Sequence, residues 1–300
     1  MTTYDVVVVG GGAAGLAGAL ALARARRRVL VVDAGDPRNA PAGHVHNYLG
    51  REGTPPAELV ALGRREVESY GGEIVTGRVT GAKADGPGFV VDTGGGTVRA
   101  RRLLVATGLT DELPDVPGLA ERWGGTVLHC PYCHGWEVRD RAIGVIATTS
   151  LATHHALLWR QWSPDVTLFR HTGPAPADPG VLERRGIAVV TGEVVGVEGD
   201  ADVRLESGEL VHRDALVVLA RARARVDWLA PLGLQPVPLE RDGVPVGDRL
   251  PTGPTGLTPV PGVYAAGNVA DPMATVIAAA AAGLTVAGAI NADLVEEDAA

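Results

Sequence analysis

Two cysteines in 300 residues are too few to staple a secreted scaffold. Positive charge is also in short supply. The chain has 27 Lys and Arg against 35 Asp and Glu, a formal net charge of −8, so nucleic acid, which needs clustered basic residues on one face, is not an expected partner. Lys83 is the sole lysine. A secretory signal is missing in the charge order that would mark one, because Asp5 precedes the first apolar run and Arg24, Arg26, Arg27 and Arg28 follow it. The expectation is a cytoplasmic protein. Long apolar runs are scarce, and the uncharged stretch Met273 to Ile290 is mostly Ala, Gly and Thr. It is expected as a buried, close-packed helix and not as a membrane span. What remains, 46% hydrophobic and 21% charged residues, excludes disorder and collagen-like structure and suffices for one large or two modest domains.

The apolar run Tyr4 to Gly10 leads into Gly10-Gly11-Gly12-Ala13-Ala14-Gly15, then an amphipathic stretch to about Arg26, then Val29 to Val32 ending at Asp33. This reads as a strand, turn, helix and strand with G-x-G-x-x-G at the turn. Glycines there let backbone N–H groups approach a pyrophosphate, and Asp33 can accept from a ribose hydroxyl. The chain also repeats itself at long range. Residues 4–35 share their pattern with residues 142–173, and Gly71 to Gly77 is echoed by Gly186 to Gly192. Apolar strands follow at Leu103–Ala106 and Ala215–Ala220. The predicted fold is therefore α/β with two Rossmann-like dinucleotide-binding domains. Leu113 to Gly118 and the Pro-rich stretch Pro231 to Pro261 mark the boundaries. One domain is expected over 1–114 and 246–300, the other over 118–242.

Cys130 and Cys133 stand in His129-Cys130-Pro131-Tyr132-Cys133-His134-Gly135-Trp136-Glu137. Two cysteines at this spacing form a small-loop disulfide that opens and closes readily. Four readings are open on the residues alone: a redox pair, a c-type haem attachment (Cys-x-x-Cys-His), a zinc site recruiting His129 and His134, and two buried structural thiols.

Taken together, these motifs resemble the low-molecular-weight thioredoxin reductases, and the likeness covers essentially the whole chain. It implies FAD, a homodimer, and cofactor contacts at Gly10, Gly12, Ala13, Ala14, Gly15, Asp33, Ala34, Arg38, His46, Val79, Ala106, Thr107, Gly108, Gly267 and Val276. Asn268 stands where the family's second FAD fingerprint usually has Asp. Asn47-Tyr48-Leu49-Gly50 resembles the segment beside the flavin ring, with Leu49 in place of Pro, and implies an isoalloxazine contact for Asn47. The resemblance further implies that Cys133 lies against the flavin and Cys130 exchanges with the substrate. His134 replaces the usual acid after the second cysteine and suits proton transfer near neutral pH.

The second nucleotide turn departs from the family. Val145-Ile146-Ala147-Thr148-Thr149-Ser150 contains no glycine, and Thr149 stands where a backbone must approach pyrophosphate. Arg170-His171-Thr172-Gly173-Pro174 keeps at most one of the arginines that hold a 2′-phosphate. In combining Cys-x-x-Cys-His with a degraded nicotinamide site, the chain resembles the FAD-dependent dithiol oxidases of disulfide natural products such as holomycin and gliotoxin. That likeness implies oxidation of a small-molecule dithiol, with Cys130, Cys133 and His134 catalytic and O2 reduced to H2O2. Two alternatives stand beside it: a thioredoxin or small-disulfide reductase fed by NADPH or by a donor such as reduced ferredoxin, and a flavin-bound redox sensor. His154 and His155 are expected on a helix surface. Arg221, Arg223 and Arg225 are expected as exposed helix or loop charge, and Trp136 and Glu137 at the substrate mouth.

Overall fold

The computed structural model describes residues 1–300, apart from the side chain of Pro179. Hydrophobic alternation and β-branched runs set the strands of the first half. These are β1 (Thr3–Val9), β2 (Val29–Asp33), β3 (Glu73–Thr76), β4 (Gly81–Asp85), β5 (Gly88–Asp92), β6 (Thr97–Val105) and β7 (Leu109–Glu112), with helices α1 (Ala13–Arg24) and α2 (Pro56–Ser69) between them. Strands β3, β2, β1 and β6 run parallel in that order, and the β4–β5 hairpin joins one edge antiparallel. Val6, Val7 and Val8 are fully buried, because a parallel sheet is covered on both faces.

The second half contains β8 (Val127–Leu128), the short helix α3 (Pro131–His134), β9 (Ile143–Ile146), α4 (Leu151–Trp159), β10 (Val166–Phe169), α5 (Pro179–Arg184) and β11 (Ala188–Val190). It continues with β12 (Val194–Glu198), β13 (Asp202–Leu205), β14 (Leu210–Val211) and β15 (Ala215–Val218). Its parallel sheet has the order β11-β10-β9-β15-β8, and β12-β13-β14 is a separate antiparallel sheet. The two halves thus repeat one plan, as the sequence predicts.

The chain then returns through β16 (Arg221–Ala224), β17 (Val237–Arg241), β18 (Val244–Arg249), β19 (Val263–Ala265) and α6 (Val276–Asp298). Strand β16 pairs antiparallel with β7, Glu112 facing Arg221, in a sheet ordered β17-β18-β16-β7. Ala224, Val226, Leu229 and Leu234 join the first half's core. Residues 221–242, counted on sequence with the second domain, therefore pack with the first, because their partners are β7 and β18. The exposed Arg221 and Arg223 alternate with buried Ala222 and Ala224 on β16, so this charge lies on a strand and not on a helix or loop.

Helix α6 is long and apolar enough to cross a membrane by length and composition alone. It packs along α1 through Gly283, where an added Cβ would collide with the Ala14 carbonyl. The expectation of a buried helix holds for one face only, since Met273 just before the helix and Ile277 and Leu284 on it are exposed.

Candidate active site

The turn between β1 and α1 is closed from three sides. Gly10 takes φ +107 and lies on the Ala106 main chain, and a Cβ on Gly15 would collide with the Gly10 carbonyl. A Cβ on Gly12 would meet nothing within 4 Å, and no side chain caps the start of α1. The first N–H groups of this 12-residue helix are left free for an anion. Asp33 Oδ1 accepts from Gly11 N–H at 3.1 Å, and Oδ2 pairs with Arg64 at 3.2 Å. A carboxylate has about four acceptor sites, so room remains for the expected ribose hydroxyl.

A cavity of about 1920 Å³ opens between the halves, roughly twice the upper end of the ~300–1,000 Å³ that single small-ligand sites occupy. Of the residues expected at the cofactor, all but Gly15 and Asn47 line it, and so do Cys130, Cys133 and His134. Gly15 acts from behind by letting the turn close. Asn47, expected against the flavin ring, is exposed at φ +58 and donates through Nδ2 to the Tyr132 carbonyl at 2.7 Å. Arg38 is spent on a two-pronged pair with Asp111, both contacts at 2.7 Å. Asn268 donates to the carbonyls of Asp271, Pro272 and Ala274 at 3.2, 3.3 and 2.9 Å. Only an amide could donate there, so Asn in place of Asp ties the loop before α6 and leaves Oδ1 for a ligand. The open glycine turn, the uncapped helix and the buried, unpartnered Thr107 Oγ1 fit a dinucleotide cofactor.

Cys130 caps α3 and Cys133 lies one turn on; both are thiols. The Cys133 thiol donates to Cys130 sulfur and the Cys133 and Tyr132 N–H groups add to it, which brings the Cys130 pKa down to about 7 despite burial. Cys133 is pushed well up, because it holds the shared proton and is buried. Burial also lowers the pKa of His134, against the opposing pull of Glu137, so His134 is neutral at neutral pH and able to accept a proton.

Two histidines stand here in settings other than those the sequence suggests. His129 stacks on Trp123 at 5.4 Å, and burial together with Arg38 holds its pKa to about 4. His155, expected at the surface, is half-buried with an unpartnered Nδ1 and lines the cavity. Its neighbour His154 lines the same cavity but is exposed. The position of His129 beside Cys130 was visible in the sequence, but only as a possible zinc ligand. Among the described residues no three of His, Cys, Asp and Glu gather as metal ligands.

The profile of the pyridine nucleotide-disulphide oxidoreductases matches residues 4–283. The chain is 32% identical to thioredoxin reductase sirT of Leptosphaeria maculans over 96% of its own length and 93% of that protein's. Among solved structures it is similar to HlmI, at 44% identity, covering 100% of this chain and 96% of that one with a TM-score of 0.91. It is also similar to an oxidoreductase from Agrobacterium tumefaciens, at 39% identity, with coverage of 98% and 99% and a TM-score of 0.92. The chain therefore belongs to the pyridine nucleotide-disulphide oxidoreductase family, enzymes of disulfide redox chemistry that use a flavin cofactor.

Proposed function

We propose that this enzyme oxidises a small-molecule dithiol to an intramolecular disulfide through Cys130 and Cys133, with FAD as its flavin and O2 as the final acceptor, giving H2O2. The observation that supports this reading is the contact of the turn after β10 with the end of β9 in the second domain. Gly173 N–H donates to the Ala147 carbonyl at 2.8 Å, and a Cβ on Gly173 would stand 2.8 Å from the Ala147 Cβ. The 170–173 turn thus folds over the strand end where a nicotinamide dinucleotide would enter, next to a turn without glycine. Electrons then have to come from the thiol side.

His134 takes the proton of one substrate thiol. The thiolate attacks Cys130 Sγ in the disulfide form of the pair, the Cys130–Cys133 bond breaks, and Cys133 leaves with its electrons. The second substrate thiol, once deprotonated, attacks the first substrate sulfur, and the bond to Cys130 breaks. Two substrate thiols have lost two electrons and the cysteine pair has gained them. The hydrogen bonds that lower the Cys130 pKa make it the better leaving group in this direction. Flavin, when bound, supplies a two-electron acceptor that can be emptied by oxygen. A cytoplasmic homodimer is part of the proposal; the exposed Met273, Ile277 and Leu284 along α6 support a covered face there.

The test is an anaerobic titration of the flavin-loaded protein with dithiothreitol and, separately, with NADPH, followed by air. The expected result is bleaching by the dithiol alone, recovery in air with peroxide formed, and repeated turnover. Bleaching by NADPH would make the protein a reductase. A single stoichiometric colour change without turnover would make it a sensor.

A further inference from the structure

His46, expected to touch the flavin, sits in a different constellation. Residues 44–54 form a tight hairpin-like loop, with Val45 paired to Thr54 and the Gly53 N–H bonded to the Val45 carbonyl at 3.0 Å. Across this loop Glu52 Oε1 lies 2.6 Å from His46 Nδ1, and Glu52 Oε2 accepts from Asn47 N–H at 2.8 Å. One carboxylate therefore fixes both the loop and the imidazole ring. The other ring nitrogen, Nε2, faces Glu137 Oε1 of the second half at 3.3 Å. Glu137 follows α3 by three residues and is the carboxylate acting most strongly on His134. A ring with a carboxylate on each nitrogen is held in one orientation and has a partner for a proton on either side, the arrangement a proton relay needs. The other titratable groups facing His46 are His44, with ring centroids 6.1 Å apart, and His134.

We propose that Glu52 and His46 form a proton-accepting dyad that serves His134 across the boundary between the halves, with the Glu137 carboxylate between them. The inference rests on the dithiol-oxidation reading and completes its proton path. Each turnover strips a proton from two thiols: Cys133, leaving as a thiolate, keeps one as the thiol that burial and Cys130 favour, and His134 takes the other. The dyad draws that proton from His134, which returns it to the neutral form for the next turnover. Glu52, whose side chain is 65% exposed, releases it to water. His46 and Glu52 are positioning and proton-transfer residues here; the bonds to sulfur are made and broken at Cys130.

The experiment follows anaerobic reduction of the flavin-loaded protein by dithiothreitol from pH 6 to pH 9, in wild type, Glu52→Gln and His46→Ala. Both variants should slow the step about tenfold, the size of one general acid–base contribution at its lower end. The dithiothreitol KM should change less than about twofold. Free imidazole should restore much of the His46→Ala rate, a rescue that a merely structural role would not show. A readout independent of turnover is the ring-proton NMR signal of His46, which should be protected from exchange in wild type and lost in Glu52→Gln. Wild-type rates in both variants, or a loss in His46→Ala that imidazole leaves untouched, would overturn the inference. Failure of dithiothreitol to reduce even the wild type would instead bring down the oxidation reading itself.

Discussion

The two halves of this molecule repeat one strand-turn-helix plan and build its turn differently. In the first, Gly10 and Gly15 let β1, α1 and β6 close tightly while Gly12 leaves open space before an uncapped helix. In the second, Ala147 to Ser150 span the same junction with side chains, and the turn after β10 lies down on Ala147. The two turns thus differ at a few backbone positions, while the parallel-sheet plan around them is the same. The second half has not become inert. It contributes Cys130, Cys133, His134 and His155 to the shared cavity.

The contrast is broken most severely by Gly15→Ala, which drives a methyl into the Gly10 carbonyl. This variant should purify with at least about tenfold less flavin per chain, read from the visible absorbance alongside far-UV circular dichroism to check folding. A full flavin complement would show that the first turn does not need its close approach.

A smaller effect tests what the second half contributes. Burial and Arg38 hold the His129 pKa at about 4, below the ordinary value of 6.5. Between those values the unfolded chain binds a proton that the folded chain refuses, so stability falls as pH falls through that window. The loss should be about 2 kcal/mol between pH 7 and pH 5. His129→Gln should flatten that slope in urea unfolding, and an unchanged slope would remove the assignment.

The smallest expected effect sharpens the comparison from the other side. Thr149→Gly puts a glycine in the turn, yet the 170–173 turn still lies against Ala147, so NADPH is expected still to fail to bleach the flavin under anaerobic conditions. If this one change admitted NADPH, the side chain of Thr149, and not the covering turn, would be the barrier.

The sequence displays what is local. The glycine turn, the paired cysteines and the repeated strand plan are contiguous signals, and all are found where their spacing puts them. Residues 221–242 follow the second domain in sequence but pack with the first, because β16 to β18 find their partners in β7 and in each other, and a Pro-rich stretch hides a hairpin. The pairing of Arg38 with Asp111 and the grip of Glu137 on His46 each join segments more than seventy residues apart. Charge patterns along the chain carry no mark of such contacts. Asn47 illustrates the limit from within a motif, since its amide is drawn to the Tyr132 carbonyl and not toward the cavity.

Glu112 and Arg221 face each other across the antiparallel pair of β7 and β16, so everything between them is a guest spliced into the tip of a hairpin. The guest's own two sheets, built from β8 to β15, are complete within an unbroken length of chain. The host's is not, because β19 and the Gly267–Val276 wall of the cofactor cradle lie beyond the splice. Closing the host over a floppy guest would cost the entropy of a long loop, and closing it over a folded one costs far less. The first half's glycine-turn cradle is therefore completed most cheaply after its neighbour has folded, which makes the second half a scaffold on which the first half's assembly depends.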